Sequence, residues 1–518
     1  MTSSARSTAQ WQFHGGLALE PHKAASLARG ILPPPLPTIL RIPLSTGHGE
    51  LGDLQVKPGD LVRRGQALTH ASRDTQLACH APTSGKVVEV VDLSPAQTPT
   101  GQACRQLLIE PDGQHQSLPP APLANWRKAS SAALVDHLHQ MGLVGMGGAM
   151  FPTAAKLRGN WPKPETLIVN GAECEPWISC DEALMRSRPQ AIVAGSEVLA
   201  RACGARKIRI AVEADAREAI DGLSLAIESW RSDQVDLDWQ LVVVPTLYPQ
   251  GGERQLIQTL TGQEVPHGQL PQSIGVLCHN VATAAAAHDA VILGLPLTER
   301  ILTLTGPGLR EPCNVLALIG TPFEHLIEFA GGLTDDARRL VLGGPMSGLT
   351  LGDPGWPAGK GSNCLLALTD TRPSQPSDAL PCINCGACVE TCPASLMPQL
   401  LFRQLEAGQY EAADRLHLSA CIECGVCAEV CPSHLPLVDW YRHGKDVLRE
   451  RQREKRQAAL SQQRFDARSA RLEQQAKARE ERRQQRQARL TQPQDAQSEI
   501  LAAIARARSK NKTGSNDP

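Results

Sequence analysis

Two stretches decide how this chain is read: Cys382-Ile-Asn-Cys385-Gly-Ala-Cys388-Val-Glu-Thr-Cys392-Pro393 and Cys421-Ile-Glu-Cys424-Gly-Val-Cys427-Ala-Glu-Val-Cys431-Pro432. Both follow C-x2-C-x2-C-x3-C-P, the spacing of bacterial two-cluster ferredoxins. Three cysteines at intervals of three wrap three corners of a cubane. The fourth, turned away by the longer step and the proline, reaches the other cluster. The spacing therefore assigns one [4Fe–4S] cluster to Cys382, Cys385, Cys388 and Cys431, and a second to Cys421, Cys424, Cys427 and Cys392. Gly386 and Gly425 leave room for backbone N–H groups near sulfide. Paired zinc knuckles fit poorly, because zinc has no use for a third cysteine at the same interval or for the trailing Cys-Pro. Two clusters close together carry single electrons, which requires a donor and an acceptor.

The remaining chain is too long for one core: 518 residues imply about three to five domains. Eight of its sixteen cysteines lie outside the two runs; scattered as they are, each reads as a small buried apolar residue of a reducing compartment. A formal net charge of −1 argues against general nucleic-acid binding. The longest apolar stretches fall far below the roughly 18 residues of a membrane span. Met1–Gln12 has no secretory pattern. These features read as a cytosolic protein, or one attached to a membrane only through partners.

Working outward from the cysteines, Thr371–Pro381 reads as a linker, with helices expected at Leu400–Gln409 and Glu411–His417 between the runs. From Ser130 helices and short apolar strands alternate: Ala132–Met141, Thr166–Asn170, Pro189–Cys203, Ile208–Val212, Ala216–Trp230 and Leu241–Pro245. That alternation predicts a parallel, Rossmann-like α/β sheet. Short Gly/Pro-punctuated pieces from Arg300 to Leu368 predict a small β-grasp-like domain. Near the N-terminus, Gly49–Val90 alternates strand-like pieces with turn signals and resembles the flattened barrel of biotin and lipoyl carriers. No lysine lies between Lys57 and Lys86, and Thr75 stands about where the attachment lysine would be, so a swinging arm is not expected. From Arg442 to Pro518 there are 20 Lys and Arg against 10 Asp and Glu. This tail reads as a solvated helix or a disordered segment, or as a dock for an anionic surface or acidic partner. The expected domains are thus 1–128 (barrel-sandwich-like), 129–298 (α/β), 299–370 (β-grasp-like), 371–440 (two-cluster ferredoxin) and 441–518 (basic tail).

Four polar loops mark the α/β region, three of them at strand ends. Gly142–Thr153 is glycine-dense and precedes Lys156; alone it reads equally as a phosphate loop or a structural turn, and it is neither a Walker A motif nor a strict dinucleotide fingerprint. Val169–Pro176 sets Asn170 and two carboxylates, Glu173 and Glu175, at a strand end, where α/β sheets bind ligands. Tyr248–Arg254 is a second Gly-rich loop, and His279–Thr283 opens an Ala-rich helix. Jointly they point to a nucleotide cofactor.

Taken together, GLVGMGGAMFPT, VNGAECEPWISCDEALM, YPQGGERQLIQTLTGQEVP, GVLCHNVATA, LTLTGPGLREPCNV, LGGPMSG and both cysteine runs resemble the RnfC-type component of Rnf/Rsx electron-transport complexes. More distantly they resemble the flavin- and NADH-binding subunit of respiratory complex I. The resemblance covers most of Phe13–Pro436 and leaves out the tail. It implies a non-covalent FMN that takes hydride from NADH and passes single electrons to the clusters. It also implies an FMN shell of Gly145, Gly147, Lys156, Asn170, Glu173, Tyr248, Gly252, Glu253, Asn280 and Thr283, with Glu175 and Phe151 toward the nicotinamide. Complex I carries an arginine where Met146 stands and a glycine where Met150 stands.

The implied setting is an electron-input subunit on the cytoplasmic face of a bacterial inner membrane, peripheral to an ion-translocating complex. Its partners would be the other subunits, including an iron–sulfur acceptor. Two alternatives stand beside it: a flavin-free iron–sulfur relay and docking module, and a soluble diaphorase subunit.

Overall fold

The computed structural model describes residues 6–44, 50–159, 162–231, 237–369, 379–490 and 493–512. Its centre is a five-stranded, all-parallel sheet in the order Arg6–Thr8, Asp238–Val244, Lys207–Glu213, Thr166–Gly171, Val276–Asn280. Apart from the polar edge strand Arg6–Thr8, the strands are rich in apolar residues, as expected where both faces of a parallel sheet are covered. Leu167, Val169, Ile208 and Ile210 enter the core beneath helices Ser131–Gln140, Pro189–Cys203, Arg217–Arg231 and Val281–His288. Ile168, Ala211 and Val242 point to the other face, under helix Glu253–Thr261.

Helix Pro189–Cys203 runs as read from the sequence. Pro189 opens it, and Gly204 closes it in the left-handed region at φ 82°. Its Gly195 faces the backbone of helix Val281–His288, and a Cβ there would run into the Ala284 carbonyl. Gly195→Ala is expected to destabilise the α/β core by roughly 3 kcal/mol, read as a lowered chemical-denaturation midpoint, because backbone cannot yield as a side-chain tip can. An unchanged midpoint would mean that the two helices separate freely.

The N-terminal region does not stand alone. Residues 6–8 add the edge strand of the central sheet, and Ile31–Leu32 pairs with Cys313–Leu318 of the small β domain. The segment after them, from Leu40, forms a barrel-like unit. Its main sheet runs Leu40–Pro43, Cys104–Pro111, Gly85–Leu93, Leu61–Val62, with two short ladders beside it. Leu40, Ile42, Leu68, Val87, Leu107 and Ile109 are buried within it.

The small β domain is a mixed sheet in the order Leu349–Leu351, Arg339–Leu342, Cys364–Leu368, Glu299–Thr305, Cys313–Leu318, Ile31–Leu32, with helix Phe323–Phe329 against it. The cysteine runs form two matching turns. Gly386 and Gly425, at φ 84° and 82°, each precede a one-turn helix, Ala387–Glu390 and Val426–Glu429. Helices Pro398–Glu406 and Tyr410–Arg415 separate them. Most of the expected linker at 371–381 lies outside the described residues.

The tail is helical over Leu437–Leu490 and Pro493–Lys512, and from His443 on it is a unit of its own. Among the described residues no helix is long and apolar enough to cross a membrane.

Candidate functional site

The parallel strands end on one edge of the sheet, and the loops that leave them wall a cavity of about 990 Å³. Loop 146–150, loop 170–175 and loop 248–255 supply one side. The small β domain supplies another through Leu342–Leu349 and Trp356–Cys364, and Ile422, Glu423 and Cys424 of the second cysteine run close part of the wall.

Asn170 and Asn280 are register partners on adjacent strands. The Asn170 amide donates to the Gly251 carbonyl at 2.8 Å, and its Oδ1 accepts from the Ala172 N–H at 3.0 Å, pinning two loops together. Asn280 caps helix Val281–His288 through the Ala282 N–H at 2.8 Å and donates to Asp181 Oδ2 at 2.5 Å. Across the gap, a Cβ on Gly147 would meet the Asn280 side chain at 3.4 Å, an ordinary van der Waals contact, so the loop lies directly against the strand end.

Of the residues singled out from the sequence, Gly147, Asn170, Glu173, Glu175, Tyr248, Gly252, Glu253 and Asn280 line the cavity. Four others do not. Lys156 donates to Glu253 Oε1 at 2.8 Å and to the Cys278 carbonyl at 2.6 Å, which turns its ammonium away. Thr283 is buried, and its Oγ1 accepts the Met146 N–H at 2.9 Å, so it holds the glycine loop from behind. Gly145 donates to the Phe151 carbonyl at 2.8 Å and shapes the same loop. Phe151 itself is 42% exposed.

The two methionines take distinct roles. Met146 packs into the apolar core at the cavity wall, and its thioether offers no charge to a phosphate. Met150 adopts φ 51° and fills the space that a Cβ on Gly361 would need; the glycine opposite accommodates the larger residue.

The two carboxylates of loop 170–175 face different ways. Glu173 accepts the N–H groups of Asp181 at 2.9 Å and Glu182 at 3.2 Å, capping helix Cys180–Ser187. Its ligand atoms lie within 4.8 Å of those of Cys180 and Asp181, but these hydrogen bonds, together with that of Asn280 to Asp181, account for the cluster as a helix cap. Behind it Lys23, 7% exposed, donates to the Glu173 carbonyl at 2.6 Å and to Glu213 Oε2 at 3.5 Å, with Glu182 Oε2 at 3.9 Å. Burial pushes the Glu173 carboxyl up to about 8 and Glu213 up to about 7, while Lys23 holds both lower than burial alone would. Glu175 instead accepts from the Met346 and Ser347 N–H groups, at 2.8 and 2.9 Å, and from the Ser347 hydroxyl at 2.8 Å. It ties the small β domain to the cavity. Neither Asp181, Lys23 nor the 342–348 loop stands out by periodicity. Only the adjacency of Ser179, Asp181 and Glu182, an N-terminal helix pattern, hints at the cap.

Four of the eight cysteines, drawn from both runs, line one cavity. Cys392 joins Cys421, Cys424 and Cys427 around one small cavity, closed by Pro393, Leu396, Leu401, Val438 and Tyr441. This apolar, four-thiol enclosure drawn from both runs fits a cubane cluster. The chain just after Cys431 meets the chain just before Cys382: Leu380 donates to the Ser433 carbonyl at 2.9 Å, and the Ser433 hydroxyl to the Pro381 carbonyl at 3.0 Å. Cys385 is exposed. The first run is also bound to the N-terminal segment, where His14 Nδ1 lies 3.0 Å from the Cys392 carbonyl and Gly16 N–H donates to the Thr391 carbonyl at 3.0 Å. Finally, the Tyr248 hydroxyl, buried at the large cavity, donates to the Cys424 carbonyl at 2.7 Å.

Comparison with known proteins agrees with this layout. Residues 11–114 match the RnfC barrel sandwich hybrid domain, 138–289 the Nuo51 FMN-binding domain, 301–350 the SLBB domain and 381–435 the 4Fe-4S dicluster domain. The chain is therefore built from a barrel-sandwich domain, an FMN-binding α/β domain, an SLBB domain that falls within the expected small β-grasp-like unit, and a dicluster domain. It is 43% identical over 97% of its length to the RnfC component of the ion-translocating oxidoreductase complex of Pectobacterium carotovorum, and 40% identical over 97% to that of Serratia proteamaculans. It spans 66% and 70% of those two proteins and 58% of the corresponding protein of Edwardsiella ictaluri. A chain of an NAD+-reducing [NiFe]-hydrogenase crystal structure aligns with 59% of this chain and 61% of its own, at a TM-score of 0.44 and 20% identity.

Proposed function

The chain belongs to the RnfC family of ion-translocating oxidoreductase complexes, and from that premise we propose that it is the electron-input subunit of a membrane-bound complex, oxidising NADH at an FMN held non-covalently in the 990 Å³ cavity. When bound, FMN supplies the conversion of a two-electron hydride donor into single-electron transfers. The observation that carries the reading is the shared wall: Cys424 lines the cavity, and its carbonyl accepts the Tyr248 hydroxyl at 2.7 Å.

The residues divide the work. Gly147 and Gly148 let backbone approach a phosphate, Asn170 and Asn280 fix the loops beside the ring site, and the small β domain, clamped on Glu175, limits water. Four assignments from the resemblance change accordingly: Lys156, Thr283 and Gly145 support the loops from behind, and Phe151 stays at the rim. We assign the near cluster to Cys392, Cys421, Cys424 and Cys427, and the outer one to Cys382, Cys385, Cys388 and Cys431. The exposure of Cys385 supports the outer cluster as the exit toward an iron–sulfur partner subunit.

Anaerobically purified protein is expected to contain about one FMN and eight iron per chain, and NADH to bleach flavin and cluster absorbance together. One observation favours a second reading, the flavin-free relay: Glu173, Glu175, Asp181, Glu253 and Glu423 line the cavity, whereas its cationic lining residue, Arg254, is occupied by the Val265 and Gln269 carbonyls. Protein that is flavin-free and resists reconstitution, with both clusters intact, would establish that reading instead.

A further inference from the structure

The long tail helix is polar on every side by composition, yet its charges are not evenly spread. Arg464, Arg468, Arg471, Arg479, Arg482, Arg486 and Arg489 follow one another at spacings of 4, 3, 8, 3, 4 and 3 residues. At about 100° per residue all seven fall within a stripe roughly 80° wide. On the same count Asp466, Glu473 and Glu480 lie about 160–200° from Arg464, on the opposite side. Phe465 and Leu472, 65% and 52% exposed, run along one edge of the stripe.

Such segregation works against a helix that has only water around it. A self-sufficient polar helix interleaves acids and bases at i, i+4, whereas here Arg464–Arg468 and Arg482–Arg486 are like-charge neighbours at that spacing, which destabilises the helix. Among the described residues, the ion pairs within the helix engage Arg442, Arg449, Arg453 and Arg483 and none of the seven. An anionic surface outside the helix would relieve this repulsion. The stripe is straight over about 38 Å and one-sided, which suits a flat surface better than a groove. It is made of arginine rather than lysine, and the guanidinium fork matches phosphate oxygens. Its edge carries an exposed aromatic and an exposed aliphatic side chain, as helices lying in a lipid interface do.

We propose that this face of helix Leu437–Leu490 lies on an anionic phospholipid surface, with the seven guanidinium groups on headgroup phosphates and Phe465 and Leu472 dipping below them. The full chain is expected to co-sediment with phosphatidylglycerol-containing vesicles, in a salt-sensitive manner, and not with phosphatidylcholine vesicles. The triple variant Arg471→Gln, Arg482→Gln, Arg486→Gln should bind about 100-fold more weakly, roughly fivefold per cation removed. The triple variant Lys445→Gln, Lys455→Gln, Lys477→Gln removes the same charge away from the stripe and should bind within about threefold of the parent. Glutamine keeps helix propensity, and far-UV circular dichroism checks that helicity is unchanged in both. No binding to anionic vesicles, equal losses in the two triples, or binding to polyglutamate in preference to vesicles would overturn the proposal. The measurement requires neither flavin nor cluster, so its outcome is separate from that of the NADH titration.

Discussion

Cys392→Ser is expected to remove the EPR signal of the cluster that Cys421, Cys424 and Cys427 hold, and to lower iron from about eight to about four atoms per chain. Cys392 belongs by sequence to the first run, but its side chain faces the small apolar cavity of the second. The backbone at the same point is held by the N-terminal segment, through His14 at the Cys392 carbonyl and Gly16 at Thr391. The loss should therefore stay local. In an anaerobic sample the second signal, from Cys382, Cys385, Cys388 and Cys431, should survive, while NADH no longer reduces it on the parent's timescale, because the cluster beside the cavity is gone. Cys431→Ser should instead damage the cluster of the first run. If Cys392→Ser spares the signal that Cys427→Ser abolishes, the crossed ligation is wrong.

Above about pH 8, Lys23→Met is expected to destabilise the folded core by about 3–5 kcal/mol, because it leaves buried carboxylates without their cation. Lys23 reaches Glu173, Glu182 and Glu213 from the N-terminal segment, all within 3.9 Å. The pH dependence has a definite sign. Burial raises Glu173 and Glu213 to about 8 and about 7 from an ordinary 4.5. Between the unfolded and folded values the native state binds more protons, so these groups cost stability as pH rises through that window. Without Lys23 the folded values rise further. The melting-temperature deficit of the variant should therefore be small at about pH 5–6, where the carboxyls are protonated in both proteins, open above about pH 7 as the parent's carboxyls ionise beside Lys23, and keep growing through about pH 8. A deficit that grows on acidification, or none at all, would show that the cluster is neutral in the native protein and that Lys23 is only a spacer.

Much of this molecule is legible in one dimension. Spacing alone identifies both cysteine runs, because the cubane's corners demand ligands at short, repeated intervals. Helix Pro189–Cys203 carries its own start and stop in Pro189 and Gly204, and the apolar strands with helices between them announce the parallel sheet. The candidate site is legible in part: the loops at residues 147, 170–175, 248–253 and 280 do converge on the cavity. Lys156 and Thr283 sit in the same motifs but turn elsewhere, since a motif records which residues are near a strand end and not which way their side chains point. The tail could be read from composition as helix or disorder; it is helix over Leu437–Leu490.

By itself, then, the sequence determined the two cysteine runs of a dicluster domain, the class of the central sheet and the charge of the tail. These depend on local spacing and on composition. Only the tertiary structure decided that Lys23 neutralises carboxylates some 150–190 residues away, that Glu175 anchors the small β domain, and that Tyr248 joins the cavity to Cys424. Each of these is a contact between distant segments, made because burying a polar group obliges the fold to bring it a partner. The second cysteine run owes its position beside the cavity to such contacts, not to its spacing.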